Sequence, residues 1–199
     1  VTSEANSANA PLSAPESADK VIAATRRWLR HAVIGLGLCP FAAAPFVREQ
    51  IRYRVSEQRS TNGLLEELAQ ELLALNAADP LLCETSLLIH PHVLNDFGEY
   101  NQFLDEAEGT LVALGLGGEL QIASFHPDYR FAGTAPNDLE NYSNRSPYPM
   151  LHLLREASVT RAVSTYPDVS EIGQRNIATL RALGEAGWRA TVGPATGED

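Results

Sequence analysis

Two apolar runs in this chain, TSLLIH (Thr85 to His90) and LQIASFH (Leu120 to His126), each stop at a histidine followed by proline. A short apolar run closed by proline reads as a fully buried strand, because proline lacks the N–H that would continue a hydrogen-bond ladder. Between the runs, Phe97, Tyr100, Phe103, Leu104, Ala107, Leu111 and Leu114 recur at helical spacing after Asn95 or Asp96, either of which can cap. Upstream, IRYRVSE (Ile51 to Glu57) alternates like a strand with one covered face. Leu64, Leu65, Leu68, Leu72 and Leu75 then describe a helix that Asp79-Pro80 stops. Strand, helix, strand, helix, strand predicts one α/β domain with a small, mainly parallel or mixed sheet of three to four strands. An antiparallel strand inserted into that order gives an α+β sandwich as the alternative.

The flanks are simpler. Residues 1–17 are rich in Ser, Ala, Asn and Pro and read as a disordered tail. Ser17 then caps a helix carrying Val21, Ile22, Thr25, Trp28, Leu29, Ala32 and Val33, ended by Gly35, Gly37 and Pro40. Pro147 or Pro149 opens a helix expected to run through Arg155, and a last helix spans about Ser170 to Glu185. The domain is expected over 18–190, with a flexible tail over 191–199. A formal net charge of -10 supplies no basic field, which argues against nucleic acid and anionic membranes as partners. No apolar run approaches the ~20 residues of a membrane span, and the first twenty residues lack the apolar core of a secretory signal. Cys39 and Cys83 lie far apart, so a disulfide framework is not expected and a cytoplasmic location is.

Chemistry concentrates at the strand ends. If the strands are parallel, His90-Pro91-His92 and His126-Pro127-Asp128-Tyr129 share the carboxyl edge of the sheet, where open α/β sheets hold ligands. The sharpest form of that idea is a divalent metal on His90, His92 and His126, since His-x-His can put both imidazoles on one face. That spacing alone is a weak signal, so no cofactor is expected and the metal stands as the alternative. The other form is a pocket for a small anion. Arg145 precedes the stiff Ser146-Pro147-Tyr148-Pro149 segment, and on a helix Tyr148, His152 and Arg155 would share one face. Arg145 and Arg155 would grip a carboxylate or phosphate while His126 or His152 moves a proton. The plainer reading is an internal network pairing His152 with Glu156 and Arg155 with Glu84.

Cys39 lies in GLCPFA (Gly37 to Ala42). Cys-Pro-Phe-Ala is similar to the active-site turn of glutaredoxin-like and omega-class glutathione transferases, where a helix N-terminus lowers the thiol pKa. Here a long helix rather than a strand precedes the cysteine, and Pro45 leaves little room for the helix that should follow. Cys39 could instead serve as a nucleophile beside His126 or His152, but a small buried hydrophobe is its simplest role.

Taken together, CPFA, ETSLLIHP, LQIASFHPDYRFAGT and NRSPYPMLHLLRE resemble a bacterial family known as domain of unknown function 1415, over most of the chain. The resemblance implies that Cys39-Pro40-Phe41, Glu84-Thr85, Phe125-His126-Pro127, Tyr129, Asn144-Arg145-Ser146-Pro147, His152 and Arg155-Glu156 are family hallmarks. It carries no established activity. The residues themselves lead to an enzyme acting on a small polar or anionic molecule. In it His126 is the acid–base, with His152 beside it, Arg145 and Arg155 are anchors, and Tyr129 and Asn144 orient the ligand. Glu84 and Tyr148 complete the expected substrate contacts. The alternatives are a metal-dependent version and a non-catalytic ligand-binding or regulatory module. His126 is expected to face an open cleft.

Overall fold

The computed structural model describes residues 17–166 and 168–193. Of the tails expected over 1–17 and 191–199, residues 1–16 and 194–199 lie outside them, while Thr191 and Val192 belong to the last helix. The elements in chain order are α1 (Ala18–Trp28), α2 (Ala43–Val47), β1 (Ile51–Val55), α3 (Thr61–Ala77), β2 (Thr85–Ile89), α4 (Phe97–Ala113), β3 (Leu120–Phe125), β4 (Met150–Arg155), α5 (Glu156–Thr165) and α6 (Ile172–Val192). A π-helical stretch, Leu29–Ile34, continues α1, and a 3₁₀ turn, Leu139–Asn144, lies between β3 and β4. Ser17 stands at the start of α1, but its hydroxyl makes no capping bond. Ser60 caps α3 by accepting from the Gly63 amide, and Asp96 rather than Asn95 caps α4 through the Glu99 amide.

The sheet is mixed, with strand order β1-β2-β4-β3. β1 and β2 are parallel, and β4 runs antiparallel to both β2 and β3. β1, β2 and β3 therefore point the same way, with one reversed strand among them. Alternation sends Leu88, Leu151, Leu153 and Leu120 into a core with α3 and α4. Leu87, Ile89 and Met150 go to the opposite face, against Trp28, Val33, Leu180 and Trp188 from α1, its extension and α6. Each fully buried leucine contributes about 1.5–3 kcal/mol, so helices on both faces hold the sheet. The arginines of β1 are paired though not buried. Glu71 accepts from Arg52 and Ser86, and Glu67 accepts from Arg54, both glutamates projecting from the leucine stripe of α3.

The expected helix over 147–155 is instead strand β4. Met, Leu and His have no strong strand preference, and the two prolines suggested a helix start. The central strand β2 decides otherwise: buried along its whole length, it requires a hydrogen-bond partner on each side. Met150 to Arg155 supplies one, pairing Ile89 with Met150 and Ser86 with Leu153. The reversal separates the proposed anchors. Arg155 pairs with Leu120 at one edge of the sheet, while Phe125 and Met150 pair at the other. Five residues of strand at about 3.3 Å each lie between them.

The last helix also differs from expectation, running to Val192 but breaking at Gly184, where φ is 68° and ψ is 174°. That region is open essentially to glycine alone. The break redirects residues 185–192 so that Trp188 packs edge-on against Tyr142, with ring centroids 5.4 Å apart. Among the described residues, no helix is long and apolar enough to cross a membrane.

Candidate functional site

The carboxyl ends of β1, β2 and β3 do share one edge, as the parallel reading required, but His126 does not face an open cleft there. It is fully buried. Its Nδ1 accepts from the Asp128 amide at 3.0 Å, so Nε2 carries the proton and donates to the Leu94 carbonyl at 3.1 Å. Phe97 and Tyr100 flank the ring. Burial lowers its pKa, and a neutral imidazole with both nitrogens engaged has no proton to exchange with a ligand. Its role is to fasten the start of the 127–146 loop. The backbone completes the fastening: the His126 amide donates to Asn144 O, and the Ser146 amide donates to His126 O.

His90 is buried beside it, stacked on Tyr100 at 5.8 Å, with Nδ1–H donating to Val93 O at 3.0 Å. Its Nε2 has no partner among the described residues, and burial pushes its pKa down to about 4. The His90, His92 and His126 ligand set is not formed. Among the described residues no three His, Cys, Asp or Glu side chains gather as metal ligands would, and both His126 nitrogens are occupied.

The remaining candidates separate in the same way. His152 sits within the sheet. The Thr85 hydroxyl gives its proton to Leu153 O at 2.6 Å, so His152 Nε2–H donates to that hydroxyl at 2.8 Å. Burial lowers the His152 pKa to about 4. Arg155 caps the end of α3, donating to Leu75 O, Ala78 O and Cys83 O at 2.6, 2.8 and 3.2 Å. Glu84 lies beyond the same end of the sheet, its amide bonded to Gln50 O. Asn144 donates to Ser124 O and ties the loop to β3. The Tyr129 ring packs on Phe97 at 5.3 Å, and Tyr148 packs into the α1–α6 core while its carbonyl accepts from the Ser146 hydroxyl.

Cys39 is free and half-buried. Burial raises its pKa, and hydrogen bonds from the Phe41 and Ala42 backbone offset that only in part. Iodoacetamide labelling of Cys39 should therefore show an apparent pKa at or above the ~8.5 of a free thiol. A value well below that would identify an activated thiolate.

Arg145 is where the sequence-predicted site and an actual opening coincide. A cleft of about 410 Å³ lies outside the end of β3, between α1, the broken end of α6 and the 127–147 loop. Arg27, Arg145 and Arg189 line it, and the one carboxylate among the described lining residues, Glu185, is paired with Arg189. Trp28, Tyr142 and Trp188 form aromatic walls, with Pro127 and Pro147 at the loop side. The Arg145 guanidinium lies 4.2 Å over the Tyr142 ring. Its Nη2 donates to Pro136 O, and Nε makes a long 3.5 Å contact with Tyr129 O. Among the described residues it has no carboxylate partner. The loop that holds it is organised by Asn141, which is buried, accepts from the Phe131 amide and the Thr134 hydroxyl, and donates to Ala135 O.

Arg27, Trp28, Trp188 and Arg189 were not among the expected site residues. The sequence marked Trp28 only as an apolar position of its helix and gave no signal for the others. Trp28 is buried, touches Phe125 edge-on at 5.4 Å, and its indole N–H finds no acceptor among the described residues.

The sequence model of a family described as a protein of unknown function (DUF1415) matches residues 20–190. No curated protein and no solved structure matches the chain.

Proposed function

Because the chain belongs to the DUF1415 family, whose description names no activity, we propose a function from the cleft alone: the domain binds a small anionic molecule on Arg145. One observation carries this reading. Arg145 is held in position by an aromatic face and backbone carbonyls, yet no acid among the described residues neutralises it. A half-desolvated guanidinium is costly without a counter-charge, and its fork is suited to a carboxylate or phosphate. Arg27 and Arg189 line the same space, so the described lining residues carry three guanidinium groups against the one carboxylate of Glu185, in a chain of net charge -10.

Ligand binding is favoured over acid–base catalysis because no imidazole, thiol or lysine of the described residues lines the cleft. The histidines offered for that work are committed to the fold. We place the protein in the cytoplasm, in keeping with its two free cysteines. Native mass spectrometry of untagged protein from cells tests the proposal. A small anion should remain bound to the wild type and be lost from Arg145→Ala. An equal complement of ligand in both proteins would refute it.

A further inference from the structure

We infer that the ligand is an organic oxyanion with an apolar body and no cationic group, a class that includes aryl phosphates and arylalkyl carboxylates. This rests on the reading of the cleft as an anion site and adds the two features that a bare anion lacks.

The first feature is size and lining. A cleft of about 410 Å³ falls within the usual range for small-molecule sites and is far larger than a phosphate ion requires. Trp28, Pro127, Pro147 and Trp188 give its wall apolar character, the tryptophans through the small edges their packing leaves exposed, and an inorganic anion held on the arginines would leave the rest of the cleft to water. Covering a phenyl-sized group there contributes about 1.5–3 kcal/mol, equivalent to roughly 10- to 150-fold in affinity.

The second feature is the polarity of the hydrogen-bonding groups. The three guanidinium groups that line the cleft offer only donors. The Glu185 carboxylate is occupied by Arg189. A ligand ammonium would meet like charges and few acceptors, so the surface discriminates against amino acids and amines as it attracts oxyanions.

Two matched pairs test this by calorimetric titration of the full chain. Phenyl phosphate should bind at least about tenfold more tightly than inorganic phosphate, reflecting the apolar body. 3-Phenylpropionate should exceed phenylalanine by a similar factor, since the two differ in the ammonium group. Comparison of the better phosphate and carboxylate probes then identifies the preferred head group. Equal affinities within the first pair overturn the apolar body, and equal affinities within the second overturn the exclusion of cations. Both results leave the anion site standing if Arg145→Ala weakens all binding. If Arg145→Ala binds every probe as the wild type does, or if no probe binds the wild type, the cleft reading itself fails.

Discussion

Acidification from pH 7 to pH 4 should remove about 3 kcal/mol of stability through His90 alone. The folded-state pKa of this buried ring is about 4, against an ordinary value of 6.5. Between those values the unfolded chain takes up a proton that the native state refuses. The stabilisation is therefore complete above pH 6.5 and is lost progressively down to about pH 4. The cause is desolvation: among the described residues Nε2 has no acceptor for a second proton, and His126 stands close enough to disfavour a second charge. His152 and His126 are shifted in the same direction. A total stability of typically 5–15 kcal/mol would be largely consumed by several such groups. Urea titrations at half-unit pH intervals provide the measurement. His90→Phe should flatten the acid limb between pH 6.5 and 4, even if it lowers stability at pH 7. An unchanged limb would mean that His90 can accept its proton in the folded state.

The second large effect belongs to Tyr100, whose hydroxyl donates to Met150 O at 2.8 Å and accepts from the Phe125 amide at 3.1 Å. Met150 and Phe125 are cross-strand neighbours at the edge where β3 and β4 diverge toward the loop. A single oxygen from α4 thus satisfies one backbone acceptor and one backbone donor. Burial also holds that phenol protonated well above its usual range. Tyr100→Phe keeps the ring and strands both groups, at about 1–3 kcal/mol for each group left unsatisfied. The melting temperature should fall by several degrees, and amide exchange at Phe125 should accelerate. A loss below about 0.5 kcal/mol would show that water replaces the hydroxyl.

Periodicity made most of the architecture legible. The apolar strands β2 and β3, alternating β1 and the stripes of α3 and α4 all follow from spacing that only one backbone geometry satisfies, although β2 alone is buried throughout and β3 is a half-buried edge strand. β4 was not legible because MLHLLR meets helical and extended requirements alike, and only the vacant side of β2 selects between them. That one reversal turned His152 and Arg155 from pocket residues into parts of the sheet and of the α3 cap.

Among the candidate site residues, Arg145 was legible because a rigid proline-rich segment presents it. The contributions of α1 and α6 were not. They depend on the turn at Gly184 and on tertiary packing that brings Trp188 to Tyr142. His126 shows the same limit: a strand's last residue can open to solvent or close beneath the loop that follows. The Asp128 amide and Leu94 carbonyl settle it by occupying both ring nitrogens.

Whether the cleft beside Arg145 is the proposed binding site is tested most directly by a crystal structure of the protein grown with 4-bromophenyl phosphate. The account predicts a bromine anomalous peak against the Trp28 and Trp188 walls, with the phosphate oxygens in hydrogen-bonding contact with Arg145. A cleft without ligand at concentrations that saturate binding in solution, with the bromine peak elsewhere on the molecule, would contradict it.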